Sequence, residues 1–332
     1  MSDGGKYSRR VAGDRTRRAA PATLAAPGAP GALDRPPPAD LALIALAVTA
    51  VSTSAPLIRY AVAPTMALAM WRNMLAAAVV LPVTGVLRRA ELRALSGREW
   101  RLCLVSGVVL ALHFATWIPS LRYTSVASSV ALVAVQPVWA ALIARWRGDH
   151  VPRAGWIGIW LAVVGAAVLS GLDFDIGLRY LWGDLLALVG GVMAAVYVTL
   201  GAQVRQTVGT MTYTAICYSA AAVVLLTVCL VGRQPISGYD AGTWWAIIGL
   251  TVGAQLLGHS VFSRVLKTTS PTVVSTSILF EIVGAAVLAG LFFDEWPAAA
   301  AIPAAALIGA GVVIVVRAGS PRPEVAGVPV SE

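Results

Sequence analysis

Met211–Val231 reads MTYTAICYSAAAVVLLTVCLV, a run with no charged side chain. As a helix rising 1.5 Å per residue it is roughly 30 Å long, the thickness of a bilayer's hydrocarbon core. The run is continuously apolar, without the alternation of a barrel strand. In lipid a helix also satisfies its own backbone donors and acceptors. The same ruler picks out nine more runs: Asp40–Ile58, Pro64–Val86, Leu102–Leu121, Ser125–Ala144, Pro152–Gly171, Asp184–Ala202, Ala241–Leu266, Pro271–Phe293 and Pro297–Val316. The reading is an all-α integral membrane protein with ten transmembrane helices.

Composition agrees. Of 332 residues, 58% are hydrophobic and 12% charged, with mean hydropathy +0.77. Soluble domains carry roughly 45–50% apolar and about 25% charged residues. Too few charges remain to coat a water-facing surface, which excludes a soluble enzyme, a disordered scaffold and a nucleic-acid binder. The three cysteines (Cys103, Cys217, Cys229) lie in apolar runs with neither a disulfide framework nor metal-ligand spacing. Trp100, Trp146, Trp182, Trp244, Trp245 and Trp296 fall at span ends, where amphipathic rings favour the headgroup layer.

The net charge of +9 is a topology signal. Residues 1–39 hold Lys6, Arg9, Arg10, Arg15, Arg17, Arg18 and Arg35 among Ala, Gly and Pro, and lack the apolar core of a cleaved signal peptide. They are expected to form a disordered, basic cytoplasmic tail. Arg88, Arg89, Arg93, Arg98 and Arg101 share that side, as do Arg145, Arg147, Arg153, Arg205, Arg264, Lys267, Arg317 and Arg322. Only Arg59, Arg122, Arg179 and Arg233 fall opposite, and Arg72 lies within a span. Basic residues mark the cytoplasmic side, so both termini are expected there, in a bacterial inner or other plasma membrane.

The chain also repeats itself. At an offset of 145 residues, Leu121-Arg122-Tyr123-Thr124-Ser125 falls on Leu266-Lys267-Thr268-Thr269-Ser270, and Asp149-His150-Val151-Pro152 on Asp294-Glu295-Trp296-Pro297. Gln136 falls on Glu281, His113 meets His259 within one residue, and at 144 Asp40-Leu41 falls on Asp184-Leu185. Five spans per repeat is an odd number, so the second copy enters the membrane upside down. The expected order is a tail at 1–39, a first five-helix repeat at 40–171, an outer connecting loop at 172–183, an inverted repeat at 184–317, and a cytoplasmic tail at 318–332. Inverted repeats characterise secondary transporters, with sites near the midplane.

The sequence resembles the EamA family of the drug/metabolite transporter superfamily across residues 40–317. The resemblance rests on Met70-Trp71-Arg72-Asn73, Thr124-Ser125 leading to Gln136-Pro137, Gly183-Asp184-Leu185-Leu186-Ala187-Leu188, Gly258-His259-Ser260, Phe280-Glu281 and Asp294-Glu295-Trp296-Pro297. It implies a ten-helix carrier of small metabolites, often amino acids, frequently by export. Where the family shows a Glu-Pro-Val-like step, this chain has Glu281-Ile282-Val283, so no proline kink is expected in the ninth span.

Ionisable groups inside lipid are functional candidates by default, because each costs roughly 2.5–3.5 kcal/mol at the bilayer centre. Glu281 reads either as a carboxylate accepting a proton or a substrate amine, or as a protonated group bonded between helices. Arg72, about 12 Å along its span, reads as a bidentate clamp for a substrate carboxylate, or as a snorkelling or structurally paired cation. His113 and His259 suit a proton path on either side of a central carboxylate, or are neutral rings bonded to backbone carbonyls. Gln136, Gln255, Asn73, Tyr197, Tyr218, Trp117 and Trp139 line a cavity or bond between helices. Pro56, Pro119 and Pro137, placed inside spans, free backbone carbonyls for a cavity or hinge.

The expected function is secondary transport of small polar metabolites, amino acids or related solutes. It is outward, by alternating access between the two five-helix halves, with proton coupling as an option. The alternatives are an importer or facilitator of sugar- or nucleotide-like solutes, and a membrane-embedded enzyme. No phosphate-binding loop, zinc motif or activated serine occurs, so no ATP-driven step, catalytic residue, cofactor or metal is expected. The expected partners are a small-molecule substrate and the bilayer, with no nucleic acid, the protein being a monomer or homodimer.

Overall fold

The computed structural model describes residues 36–123, 129, 132, 133, 135–169, 178–294 and 301–318. The expectations for residues 1–35 of the basic tail, for residues 172–177, for Trp296 and for residues 319–332 lie outside them, whereas Pro38 and Ala39, expected in the tail, already belong to the first helix. The described residues form helices joined by short turns and loops, without strands. The elements are α1 (Pro38–Tyr60), α2 (Thr65–Leu87), α3 (Gly97–Tyr123), α4 (Gln136–Trp146), α5 (Arg153–Leu169), α6 (Leu178–Val204), α7 (Thr210–Val231), α8 (Ala241–Val265), α9 (Pro271–Ile278 and Phe280–Phe293) and α10 (Ala301–Ala318). A short helix, Arg89–Ala94, follows α2.

Seven of these, α1–α3 and α6–α9, are long and apolar enough to cross a membrane, making this a multi-pass membrane protein. Among the described residues α4 has 11, α5 has 17 and α10 has 18.

Local chemistry moves several helix starts away from the apolar ruler. α3 begins at Gly97 rather than Leu102 because Ser96 and Glu99 form a capping box. Glu99 Oε2 accepts from the Ser96 backbone N–H at 2.8 Å, and Ser96 Oγ accepts from the Glu99 N–H at 3.3 Å. α6 begins at Leu178 rather than Asp184, so residues 178–183 are helix where a loop is expected. Leu178, Leu181 and Trp182 continue its apolar surface. Asp240 and Ser270 cap α8 and α9 by accepting from Thr243 N–H (2.6 Å) and Val273 N–H (3.3 Å). Between α4 and α5, burial raises the Asp149 carboxyl above its ordinary range while Arg147 opposes the shift.

Three helices are interrupted in mid-course. α1 breaks at Thr53. Pro56 lacks the N–H that would bond the Ser52 carbonyl, and its ring would clash with that carbonyl. Pro137 sits in the first turn of Gln136–Trp146, where its missing N–H costs nothing, rather than inside a helix. α9 breaks at Leu279 although, as the sequence implies, no proline kinks it there. There Leu279 N–H bonds Thr276 O at 3.2 Å and Ile282 N–H bonds Leu279 O at 3.3 Å, each one residue shorter than the α pattern. Thr276 and Ser277 hydroxyls also bond back to the Thr272 and Val273 carbonyls, a pattern that bends helices. Glu281 thus starts a half-helix. α8 contains a π-helical stretch, Leu250–His259. It lies so close to α1 that a Cβ on Gly258 would stand 2.4 Å from Val51 Cγ1.

The helix contacts fall into matched pairs. α3 packs along α6 as α8 packs along α1, α3 meets α7 as α8 meets α2, and α4 meets α6 as α9 meets α1. α2 with α7, α5 with α10 and α4 with α9 complete the scheme. The buried apolar residues form two clusters. One joins α1, α2, α3, α6, α7 and α8 around Phe114, Tyr213, Tyr218 and Leu225, with Val274 of α9. The other joins α4, α5, α9 and α10 around Ile159, Ala162, Ile308 and Val312. Each packed body draws helices from both halves of the sequence, so the halves themselves are not the packing units.

Candidate functional site

A partly open cavity is lined by helices of both packed clusters, with about 700 Å³ of atom-free space counting the solvent at its mouth. Gln136 comes from α4, and Ile278 and Glu281 from α9, whose residues pack in both clusters. Val51, Ser54, Arg72, His113, Phe114, Trp117, Tyr197, His259, Phe262 and Ser263 come from helices of the first cluster. An adjoining, mostly apolar cavity shares Trp117, Gln136, Ile278 and Glu281 and extends to Ala55, Ile282 and Ala285. Glu281 therefore stands at the junction of two spaces.

Arg72 is 1% exposed. Its Nε donates to Gln255 Oε1 at 2.9 Å, and Gln255 Nε2 donates to Asn73 Oδ1 at 3.1 Å. Asn73 Nδ2 closes the chain on the Ala69 carbonyl at 2.8 Å. The guanidinium carbon lies 4.5 Å from the centre of the Phe114 ring, a cation–π contact. Nη2 has no hydrogen-bond partner among the described residues. Arg72 therefore does not snorkel. One edge and one face are held by the protein, and one nitrogen is left over. The Glu281 carboxylate lines the same cavity, and its charge interacts with that of Arg72.

His113 Nδ1 is 2.9 Å from the Gly190 carbonyl, which can only accept, so that nitrogen carries the hydrogen. This is the backbone-bonded alternative for His113, and its ring stacks on Trp117 at 5.7 Å. Phe114 lies 5.1 Å from the His113 ring and 5.7 Å from that of His259, so one phenyl ring touches both imidazoles. Tyr197 contacts His259 at 6.2 Å, with its hydroxyl 3.4 Å from Ser263 Oγ. Gln136 Nε2 donates to Ser275 Oγ at 3.1 Å, linking α4 to α9.

Of the candidates read from sequence, Glu281, Arg72, His113, His259, Gln136, Tyr197 and Trp117 line one cavity. Gln255 and Tyr218 stand behind it instead, as supports. Gln255 holds Arg72, while the Tyr218 hydroxyl donates to the Gln255 carbonyl at 3.2 Å and lies 2.9 Å from Ser260 Oγ. Trp139 does not line the cavity, and its buried Nε1 lacks a partner among the described residues. Phe114, Ser54 and Ser263 were not anticipated. The strict 145-residue offset pairs Phe114 with His259, a signal that aligning the two histidines obscures.

The chain matches the EamA-like transporter family twice, over residues 39–171 and 181–317. It is 27% identical over 228 residues to an uncharacterized transporter, YyaM, of Bacillus subtilis, covering 65% of this chain and 72% of that protein. It is 24% identical over 238 residues to an uncharacterized transporter of Archaeoglobus fulgidus, covering 69% and 80%. A crystal structure titled only as that of a protein shares the fold, with TM-score 0.71 and 19% identity over 83% of this chain and 96% of that one. These relationships point to a transporter rather than an enzyme. A multi-pass helical chain that carries the family's pattern in both halves, the protein belongs to the EamA-like transporter family of the drug/metabolite transporter superfamily.

Proposed function

We propose that the protein is a secondary carrier that moves small polar metabolites, amino acids or related zwitterions, outward across the cell membrane by alternating access. One observation carries this reading: Arg72 and Glu281, of opposite charge, line one cavity with no hydrogen bond between them, and Nη2 of Arg72 has no hydrogen-bond partner among the described residues. Holding two charges in a low-dielectric interior without a direct hydrogen bond between them is unfavourable unless something fills the gap. A solute bearing both an anionic and a cationic group supplies the missing partners.

The framework for this reading is ten spans in two inverted repeats, with both termini cytoplasmic. Its support is the charge bias of the loops, the internal sequence repeat and the matched helix contacts. The two packed bodies, rather than the sequence halves, are the units that move against each other, with the cavity lined by helices of both. Glu281 couples solute to protons by exchanging its proton for the solute's ammonium group.

The test is a metabolite-wide comparison of retention and release in cells with and without the protein, followed by flux of the identified solutes in proteoliposomes. Faster release of amino acids by expressing cells is the expected result. Equal retention in both, or no flux in proteoliposomes, removes the reading.

A further inference from the structure

Arg72 lines the cavity and keeps one nitrogen, Nη2, without a hydrogen-bond partner among the described residues, while its Nε edge and one face are fixed. Nε is bonded to Gln255 Oε1 at 2.9 Å, and Phe114 covers one face at 4.5 Å. Gln255 is in turn held by Asn73 at 3.1 Å, and both amides are fully buried. Arg72 and Asn73 come from α2, Gln255 from the π-helical part of α8, more than 180 residues away. The relay thus joins the two family-matched segments. A second buried donor without a partner among the described residues, Trp117 Nε1, belongs to a side chain lining the same cavity.

We infer that Arg72 and Trp117 form a carboxylate-binding subsite, and that Gln255 and Asn73 are positioning residues that aim the Arg72 guanidinium at it. The inference rests on the reading of the protein as a carrier of small zwitterions. A buried, hydrogen-bonded guanidinium matches a planar monoanion with two acceptor oxygens. With its Nε edge taken by Gln255, the side chain meets the ligand through Nη2, whose two hydrogens are both free to donate. Glu281 in the same cavity disfavours a dianion such as phosphate, which narrows the ligand to a carboxylate carried with a cationic group. Holding a long side chain in one rotamer before the ligand arrives removes part of the entropy lost on binding. That is the service the amide relay performs.

The experiment uses the full chain in proteoliposomes with a mixture of the twenty proteinogenic amino acids, each variant matched for inserted amount. Gln255→Leu is expected to weaken apparent affinity about tenfold, the scale of one charge-assisted hydrogen bond. Trp117→Phe, which keeps the ring and loses the N–H, weakens it by several-fold. Arg72→Lys weakens it at least as much as Gln255→Leu, and adding Gln255→Leu to Arg72→Lys brings no further loss, because the relay has no fork left to aim. A purely structural Gln255 would exact the same penalty in both backgrounds. Multiplicative losses, or unchanged affinity in Gln255→Leu, overturn the subsite. Should Gln255→Leu fail to insert, Gln255→Glu supplies an internal carboxylate to Arg72 and is expected to weaken affinity more than tenfold. Wild-type affinity in that variant overturns the inference equally. Absence of wild-type flux for every amino acid overturns the functional reading, and this inference with it. Wild-type flux with multiplicative losses overturns the inference alone.

Discussion

Gly158 and Gly311 face each other backbone to backbone: a Cβ on Gly311 would lie 2.5 Å from the Gly158 carbonyl oxygen, and one on Gly158 would lie 2.7 Å from the Gly311 oxygen. α5 and α10 are in contact along their length through this crossing and through Gly165, where a Cβ would stand 2.8 Å from the Ala304 oxygen. In lipid such close approach is a main source of helix–helix adhesion. The obstructing atoms are backbone, so a side chain has nowhere to go.

Gly311→Leu is therefore expected to force α5 and α10 apart and to destabilise the protein by about 1–3 kcal/mol, the usual range for overpacking. Melting of the purified protein in detergent checks this. Gly85→Leu, at a position with open space around the Cα, is the control and leaves the melting temperature within a degree or two. Equal melting of the two variants would show that the crossing is not a packing determinant.

Asp40 is 5% exposed and accepts hydrogen bonds from the hydroxyls of Thr268 and, at 3.0 Å, Thr269. It ties the start of α1 to the α8–α9 connection. Asp40→Ala removes both acceptors and is expected to cost about 1–3 kcal/mol, whereas Asp40→Asn keeps a carbonyl oxygen and loses less. The order wild type, Asn, Ala in thermal melting is the expected outcome. Identical melting of all three would show the contact to be incidental.

Glu281 sits in the first turn of a half-helix and lines the cavity with Arg72, His113, His259 and Tyr197. If its proton exchanges with the solute, Glu281→Gln leaves an inserted, folded protein whose transport no longer varies with pH. Gln cannot release a proton, so the variant is held in the equivalent of the protonated form at every pH. The measurement is uptake into proteoliposomes across pH 5–8. A wild-type pH profile in Glu281→Gln would return the residue to an interhelical role and assign any pH dependence elsewhere.

Arg59 and Arg317 fall on opposite sides of the bilayer in the ten-span arrangement. Reporter fusions truncated after each are expected to read out on opposite sides, Arg317 in the cytoplasm. The same side for both would break the arrangement, and with it the inversion of the second repeat.

Much of this molecule was legible in its sequence because the relevant physics is local. A helix rises 1.5 Å per residue and a bilayer has one thickness, so runs such as Met211–Val231 announce themselves without any tertiary information. The expense of burying charge in lipid singled out Arg72 and Glu281, which the structure brings to one cavity. The early start of α3 was also readable, since Ser96 and Glu99 form a capping box at fixed spacing. Other features had no local signature. The break of α9 at Leu279 uses no proline. Gln255 finds Arg72 and Asn73 across more than 180 residues, and nothing in its neighbours says that its amide supports the cavity rather than lining it. The mixing of both sequence halves in each packed body follows from which small and apolar faces meet, as at Gly158 and Gly311. The sequence by itself determined that the chain crosses the membrane many times, that it carries one pattern twice, and which charges are worth attention, because length, periodicity and desolvation act residue by residue. Only the tertiary structure decided which of those charges share a space and what holds them there, because those contacts join positions that are distant in the chain.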